Sequence, residues 1–550
     1  MEKEISTNNK NNNQKGYGLL SMMAMIIGLV IGSGIFAKNV GLIDVAGSVG
    51  MVIFAWVITS LLIVTLSIAF IEVISITEIT GEQSTVNNWG KHLLGIRFGK
   101  TMGYYMAYLY FPITIASLYQ YTSDQLLLVI PGLDYQSLSE NPLQYMGTVF
   151  LIAFILMAVV MLINSVFTKP GKYFQNVGTV IKTIPLFFIV IVFLTVVGNT
   201  KFINWPLQSE LIDQGVVDKS KSTTSPLLLL IATMPAILYS FDGYIIAGEL
   251  SNEAKGPAHF RIAFIVSVIF IIIIYILFSV ATLGLGSLDS TLNGGWKYGT
   301  MNNAIYTLCH RKGWSEATIE GIALTNNIII FISMLTAASG FSIAAYRSLS
   351  DLSAIQIIKD ERNLYVTKNN HGIAPESGYV MTAITFLWFT IAIIMDFIIA
   401  ETMGLKMVMC DFASNFITVG IYFLQTLIIV FALVNRFTNK VKTKKNIFFI
   451  PTAIISSIFI AIVTFINLFV IFYPVGGEIT TVYLVEILYT LMVLISLGII
   501  YWYQSKKLKE ITEEMQKEKD IKVSEYYSMP MEKYLELKDS MIIKKDKKQD

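Results

Sequence analysis

Charge is scarce in this 550-residue chain: only 14% of residues are Asp, Glu, Lys or Arg. A soluble domain is usually about a quarter charged. A water-soluble protein with 54% hydrophobic residues and a mean hydropathy of +0.63 would have to expose large apolar patches. That excludes an ordinary soluble domain and points to the bilayer as solvent. Cysteine is nearly absent. Cys309 and Cys410 are the two present, one expected in a loop and one in an apolar run, which gives neither a disulfide framework nor a metal site. Four histidines show no metal spacing. GxSxG, HExxH and P-loop patterns are missing, which argues against an enzyme and against a cofactor. The net charge is only +2, so no bulk field suggests a nucleic-acid partner.

What is present is a succession of long apolar runs. A helix needs about 20 such residues to cross about 30 Å of hydrocarbon. The runs predict spans near 18–37, 47–72, 101–130, 146–168, 174–197, 227–249, 261–286, 322–349, 378–397, 404–434, 447–473 and 481–503. No stretch alternates as a barrel strand would. The expected fold is an all-α integral membrane protein of about twelve transmembrane helices. Residues 1–16 are polar and Asn-rich and read as a disordered tail, with no cleavable leader before the first span. Residues 504–550 form a charged tail.

Twelve spans put both termini on one side. Lys and Arg concentrate in alternate connections: Lys91, Arg97 and Lys100; Lys255 and Arg261; Arg347, Lys359 and Arg362; Arg436, Lys440, Lys442, Lys444 and Lys445. The other connections hold far fewer. The positive-inside rule therefore predicts cytoplasmic termini. Richness in Ile, Asn and Lys suggests a bacterial plasma membrane.

Two spans look interrupted. The first carries Gly32, Ser33 and Gly34 in its middle, within LLSMMAMIIGLVIGSGIFAKNVG. Each glycine costs a helix interior about 1 kcal/mol relative to alanine, unless close helix packing or an unwound turn requires it. The sixth, LLLLIATMPAILYSFDGYIIAGEL, carries Ser240, Phe241, Asp242 and Gly243, with Pro235 upstream. A mid-membrane Asp costs about 2.5–3.5 kcal/mol on insertion scales, so it faces a partner, a cavity or a ligand. Interrupted helices at matching positions of two halves point to a transporter binding site. Unwinding frees backbone N–H and C=O groups where lipid cannot satisfy them. A zwitterion can, its carboxylate at half-helix N-termini and its ammonium at carbonyl ends.

At these residues the chain resembles the amino acid–polyamine–organocation superfamily of permeases, over roughly 17–430. GSGIF at 32–36 matches the first-helix signature. TGEQSTVNNWGKHLLG at 80–95 is similar to the inner-loop segment Gly-Gly-x-Tyr … Gly, with Glu82 where the second glycine stands. LYSFDGYIIAGEL resembles the sixth helix of light-subunit-like exchangers, and SNEAKGPAHFRIAF the element that follows it. GIAPESGY at 372–379 resembles the link from helix eight to helix nine.

The resemblance implies a five-plus-five inverted repeat. Residues 17–200 would form the first half, 201–226 an extracellular loop and 227–434 the second half, with 435–503 two accessory helices. It implies an amino acid permease working by alternating access, for a cationic or neutral amino acid, by proton symport or exchange. An ion channel or a transporter of polyamines or other organic cations is the alternative. It puts the substrate carboxylate at backbone groups around Ser33, Gly34 and Ile35, and the ammonium at carbonyls around Ile31 and Tyr239 to Asp242, with Gly32 and Gly243 in the same site and Asp242 pairing with a cationic group, titrating, or holding the broken backbone. Tyr239 would be an aromatic gate. Lys182 would occupy the sodium position of sodium-coupled relatives and make transport sodium-independent. Glu249 would anchor an inner gate with Arg347. Tyr104 and Tyr108 would line the side-chain subsite or simply pack. Asp411, near Asn415, reads as an intramembrane polar group for coupling or for structural pairing. Light-subunit relatives join a glycoprotein through an outer cysteine, and Cys309 lies in a different loop, so the chain is expected to work as a monomer.

Overall fold

The computed structural model describes residues 17–519, except 33, 81, 83, 131, 132, 134, 200, 355, 356, 359, 361–363, 368–373 and 473–479. Side chains at 40, 136, 139, 168–176, 179, 249, 252, 253, 293, 354 and 507–519 lie outside the description too.

Helices account for every regular element longer than a bridge among the described residues. The first crossing is split into α1 (Leu19–Val30), a π turn over Gly34–Lys38 and α2 (Asn39–Ala46). Next come α3 (Val49–Thr80), the short amphipathic α4 (Val86–Leu94) and α5 (Ile96–Tyr105). A π turn at Met106–Tyr110 joins α5 to α6 (Phe111–Leu127). Then follow α7 (Tyr135–Glu140), α8 (Pro142–Val166), α9 (Thr168–Val196) and α10 (Gln208–Asp213). The second split crossing is α11 (Pro226–Ser240) and α12 (Tyr244–Glu249). The rest are α13 (Pro257–Leu285), α14 (Ser290–Asn293), α15 (Met301–Arg311), α16 (Glu316–Ala354), α17 (Pro375–Met403), α18 (Val408–Thr438), α19 (Phe449–Phe472) and α20 (Thr481–Lys519).

Nine helices among the described residues are long and apolar enough to cross a membrane, and Val180–Val196 and Pro226–Ser240 are shorter apolar helices. The continuous stretch of α5, π turn and α6 is more polar, because it carries Thr, Ser, Gln and Tyr inward. α3 has 32 residues, about 48 Å at 1.5 Å per residue, so it outruns the hydrocarbon and projects Glu72 and Glu78 at one rim.

The packing is regular. α8 lies against α17, α6 against α16 and α3 against α13; α1 packs on α13 as α11 packs on α3. α9 meets α16 as α18 meets α6, and α1 meets α9 as α11 meets α18. The amphipathic helices correspond as well. α4 follows α3 and α15 follows α13, each capped at its N-terminus by a threonine (Thr85, Thr300) and ending in basic residues.

Two expectations change here. Cys309 is buried on α15, not in a loop. α18 starts at Val408 after Met407 in a left-handed conformation (φ 57°), so Asp411 falls in its first turn and not in mid-helix. An acid there is favoured by the positive helix end.

Candidate functional site

The two interruptions touch. α1 ends at Val30, with Ile31 extended (φ −70°, ψ 107°). α11 ends at Ser240, and Gly243 takes a left-handed φ of 98° to start α12. A Cβ on Gly34 would lie 2.5 Å from Ser240 Cα, and one on Gly243 would lie 3.0 Å from the Leu29 carbonyl oxygen. Glycine is required at both places by proximity, and at Gly243 by φ as well. Ile31, Gly32, Gly34, Ile35, Tyr239, Ser240, Phe241, Asp242 and Gly243 are thus brought together. Ser33 lies outside the described residues.

Beside the breaks is a narrow pocket, with room for about one water molecule in this conformation. The first interrupted helix contributes Leu29, Val30, Gly32 and Gly34, and the second Tyr239 and Asp242. Thr114 and Leu118 come from α6, and Ala337 and Phe341 from α16. Gly32, Gly34 and Ala337 are the small residues of the lining, and Leu29, Val30, Leu118 and Phe341 its bulkier apolar ones. Thr114 Oγ is buried and has no hydrogen-bond partner among the described residues.

Asp242 is buried in the break. Its Oδ1 accepts from the Tyr110 hydroxyl at 2.6 Å and from the Gly243 N–H at 3.0 Å, and its Oδ2 accepts from Thr418 at 3.4 Å. Both carboxylate oxygens are engaged by the protein. Asp242 therefore braces the unwound turn against α18 and the π turn.

The backbone around the breaks is also held from continuous helices. Tyr275 of α13 donates to the Val30 carbonyl at 3.2 Å, and Tyr422 of α18 donates to the Leu238 carbonyl at 3.3 Å. Lys182, fully buried on α9, donates its ammonium to the Gly28 carbonyl in the last turn of α1. A cation at a helix C-terminus is favoured by the dipole. Lys182 sits behind the break and does not line the cavity.

One rim is closed by a charged cluster. Lys38, at the end of the first π turn, donates to Asp411 Oδ1 at 2.8 Å and to Ser414 at 2.8 Å. Its ammonium lies 5.0 Å from the Tyr239 ring centre and 5.2 Å from that of Tyr121. The Tyr121 hydroxyl donates to the same Asp411 oxygen at 2.5 Å. Lys38 is buried while the Asp411 side chain is 57% exposed, and the pair adjoins the cavity through the Tyr239 ring. Asn415 does not pair with Asp411: its Oδ1 has no partner among the described residues.

Tyr104 and Tyr108 stand elsewhere. The Tyr104 hydroxyl donates to the Ile357 carbonyl at 2.8 Å, and the Tyr108 hydroxyl accepts from Gln504 at 3.1 Å. Neither lines the cavity. The reason is the π turn at Met106–Tyr110, which adds a residue to the turn and shifts the helical phase, so Tyr110 reaches the break instead. The Glu249 side chain lies outside the described residues, and Arg347 is exposed. Glu72 binds Arg436 at 2.8 Å, and Glu78 binds Arg261 at 2.6 Å. Among the described residues, no group of three or more His, Cys, Asp or Glu is placed to hold a metal ion.

Comparison with known proteins adds a second line of support. Residues 17–498 match a family model described as amino acid permease. A protein of Mycoplasma pneumoniae is 24% identical over 61% of this chain and 60% of its own. The serine/threonine exchanger SteT of Bacillus subtilis is 26% identical over 44% of this chain and 49% of its own. The human large neutral amino acids transporter small subunit 2 is 34% identical over 14% of each chain. The chain thus spans less than two thirds of the length of these relatives.

Proposed function

The chain belongs to the amino acid permease family by its match over residues 17–498, a family of transporters and not of enzymes, and from that premise we propose that it carries a small neutral amino acid across a membrane by alternating access. The observation that carries this reading is the contact between two helix breaks beside a compact cavity whose one carboxylate, Asp242, is already engaged by Tyr110, Gly243 and Thr418. A cationic side chain would find no free counter-charge there. An amino acid's own carboxylate would meet the N–H groups that open the π turn at Gly34–Lys38, which a helix start leaves unused. The orphan hydroxyl of Thr114 is available to a polar substrate atom. Two relatives carry names that mention serine and threonine or large neutral amino acids, which agrees with a neutral substrate.

The reading includes twelve crossings: the nine long apolar helices, the two shorter ones and α5–α6. Residues 17–200 and 227–434 are two halves related by inversion. In support, each packing pair of the first half recurs when every crossing is advanced by five, and α4 corresponds to α15. Residues 201–226 are then an outer connection and 435–503 two accessory crossings. The basic connections face the cytoplasm, the termini with them, and the Lys38–Asp411 lid faces outward. Lys182 holds the end of α1 through the Gly28 carbonyl, in the place of a sodium ion, with a charge that is fixed or titrates in the cycle; coupling is by exchange or by protons. The chain acts as a monomer in a bacterial plasma membrane.

The test is counterflow. Purified protein is reconstituted into vesicles preloaded with one unlabelled amino acid, and uptake of each labelled amino acid is followed. Transient accumulation of small neutral amino acids is expected. Passive equilibration without overshoot would favour a channel and overturn the proposal, as would preference for lysine or arginine.

A further inference from the structure

The segment joining α18 to α19 is basic, yet its backbone is pinned. Lys444 N–H donates to Ser75 at 2.8 Å, Asn446 N–H to Glu72 at 2.8 Å and Asn446 Nδ2 to the Ile68 carbonyl at 3.3 Å. Asn435 exchanges two bonds of 2.8 Å with Val441. Arg436 joins Glu72 at 2.8 Å, and Lys444 joins Glu78 at 3.0 Å. These ties strap residues 435–446 across the projecting end of α3.

Three lysines on the strap are left over. Lys440, Lys442 and Lys445 are exposed, and none forms an ion pair among the described residues. On either side stand bare apolar residues: Phe437 is 76% exposed, Ile447 86% and Phe448 63%. Directly after them α19 begins, with Ile450, Ile454, Ile458 and Phe459 exposed along it. Such large side chains belong in hydrocarbon. Their position fixes the depth of the lysines between them, at the level where lipid phosphates lie. A solvated loop would need neither the apolar shoulders nor the backbone ties.

We propose that the strap at 437–448 is a binding site for the headgroups of anionic phospholipids, with Lys440, Lys442 and Lys445 on the phosphates and Phe437, Ile447 and Phe448 in the adjoining acyl region. This rests on the membrane-spanning reading but not on the identity of the solute carried. Polybasic segments beside a membrane recognise anionic lipid in this way. The strap also links the site to the bundle, because Glu78 is shared between Lys444 and Arg261 at the start of α13, the helix that packs on α1.

The experiment compares the full-length protein with a Lys440→Gln, Lys442→Gln, Lys445→Gln variant. Both are purified in detergent and titrated with phosphatidylglycerol, phosphatidylcholine and inorganic phosphate, with lipid retention read by native mass spectrometry. The wild type should retain phosphatidylglycerol over phosphatidylcholine, weakened by added salt. The variant should lose about fivefold in affinity per lysine removed, up to about a hundredfold in all. Its melting temperature without lipid should be unchanged, because none of the three lysines makes a tie of the strap. Equal phosphatidylglycerol retention by the two proteins would overturn the proposal. So would displacement of the lipid by inorganic phosphate, which would mark a free-anion site instead. Binding is scored without transport, so failed counterflow and failed lipid retention are separate results.

Discussion

Replacing Asp242 separates a brace from an ion-pairing role. Its Oδ1 takes both short bonds, from Tyr110 at 2.6 Å and from the Gly243 N–H at 3.0 Å. In Asp242→Asn the amide oxygen can keep both, while the new NH2 turns to the Thr418 hydroxyl, which is able to accept. What is lost is charge assistance. Bonds to a charged group are worth about 1.5–3 kcal/mol and neutral ones about 0.5–1.5, so two bonds lose about 2–3 kcal/mol together. Asp242→Ala is worse, since the buried Tyr110 hydroxyl and Gly243 N–H are both left without an acceptor, at about 1–3 kcal/mol each, beyond the two bonds lost. The expected order of stability is wild type, then Asn, then Ala, with the Asn variant's counterflow reduced for all neutral substrates together by roughly tenfold or more, one decade per 1.4 kcal/mol. Thermal unfolding in detergent and counterflow in vesicles measure the two effects. If Asp242→Asn melted with the wild type and lost uptake of cationic amino acids alone, the carboxylate would be pairing with substrate and the brace argument would be wrong.

Lys38→Met and Asp411→Asn should each open the lid, so that a cysteine placed at Thr114 reacts several-fold faster with an outside thiol reagent. The double variant should be no faster than either single one, with a coupling of about 1 kcal/mol because Asp411 is half exposed; additive effects would exclude a shared lid. Lys182→Met should lower the melting temperature through loss of a charge-assisted bond worth about 1.5–3 kcal/mol. Uptake by the wild type should be indifferent to a sodium gradient, and strict dependence on one would refute the role given to Lys182. At the rim opposite the lid, burial pushes the Glu82 carboxyl up, but the His92 hydrogen bond and the Lys91 charge outweigh it and leave the carboxyl below its usual 4.5. A lowered carboxyl contributes stability above its unfolded value that disappears as pH falls through the folded one. Glu82→Gln should therefore melt slightly lower than wild type near neutrality and converge with it in acid; a gap that widened in acid would contradict the assignment.

The breaks were readable from composition because a helix interior tolerates neither a Gly-x-Gly core nor an unpaired Asp without a reason, and the structure supplies one reason for both, the approach of Gly34 to Ser240. The lid was not readable. Lys38 and Asp411 are separated by 373 positions, and the left-handed Met407 that sets where α18 begins has no glycine to announce it, so Asp411 was expected inside the membrane. Tyr110 was hidden for another reason: the π turn at Met106–Tyr110, which nothing in the local sequence announces, decides which tyrosine of this aromatic stretch reaches the break. Asp396, which accepts from the Met409 N–H at 2.8 Å and from Gln120 at 3.3 Å, is the one acid in the span expected at 378–397, and the cost that marks Asp242 marks it equally; it lies outside the two interruptions that pointed to a site.

The sequence suggests that the unwound backbone waits for a solute to satisfy it. The geometry modifies that idea. Tyr275 closes the Val30 carbonyl, Lys182 that of Gly28 and Asp242 the Gly243 N–H, while Tyr422 adds a second donor to a Leu238 carbonyl that already accepts from the Phe241 N–H at 3.1 Å. The donors and acceptors come from α9, α13, α18 and the turn between α11 and α12, so the breaks carry no large desolvation penalty of their own. A solute then adds few bonds beyond those the protein already makes, and its affinity stays modest. That suits a carrier, which must release what it binds on the far side. Selectivity consequently shifts to shape and to the remaining unpaired group. Leu29, Leu118 and Phe341 limit size, and among the described residues the Thr114 hydroxyl is a lining group with an unmet hydrogen bond. Thr114→Val, which keeps the volume and removes the hydroxyl, should therefore weaken uptake of hydroxylated amino acids relative to alanine. If alanine and serine fell by the same factor, selectivity would have to reside in the main-chain contacts alone.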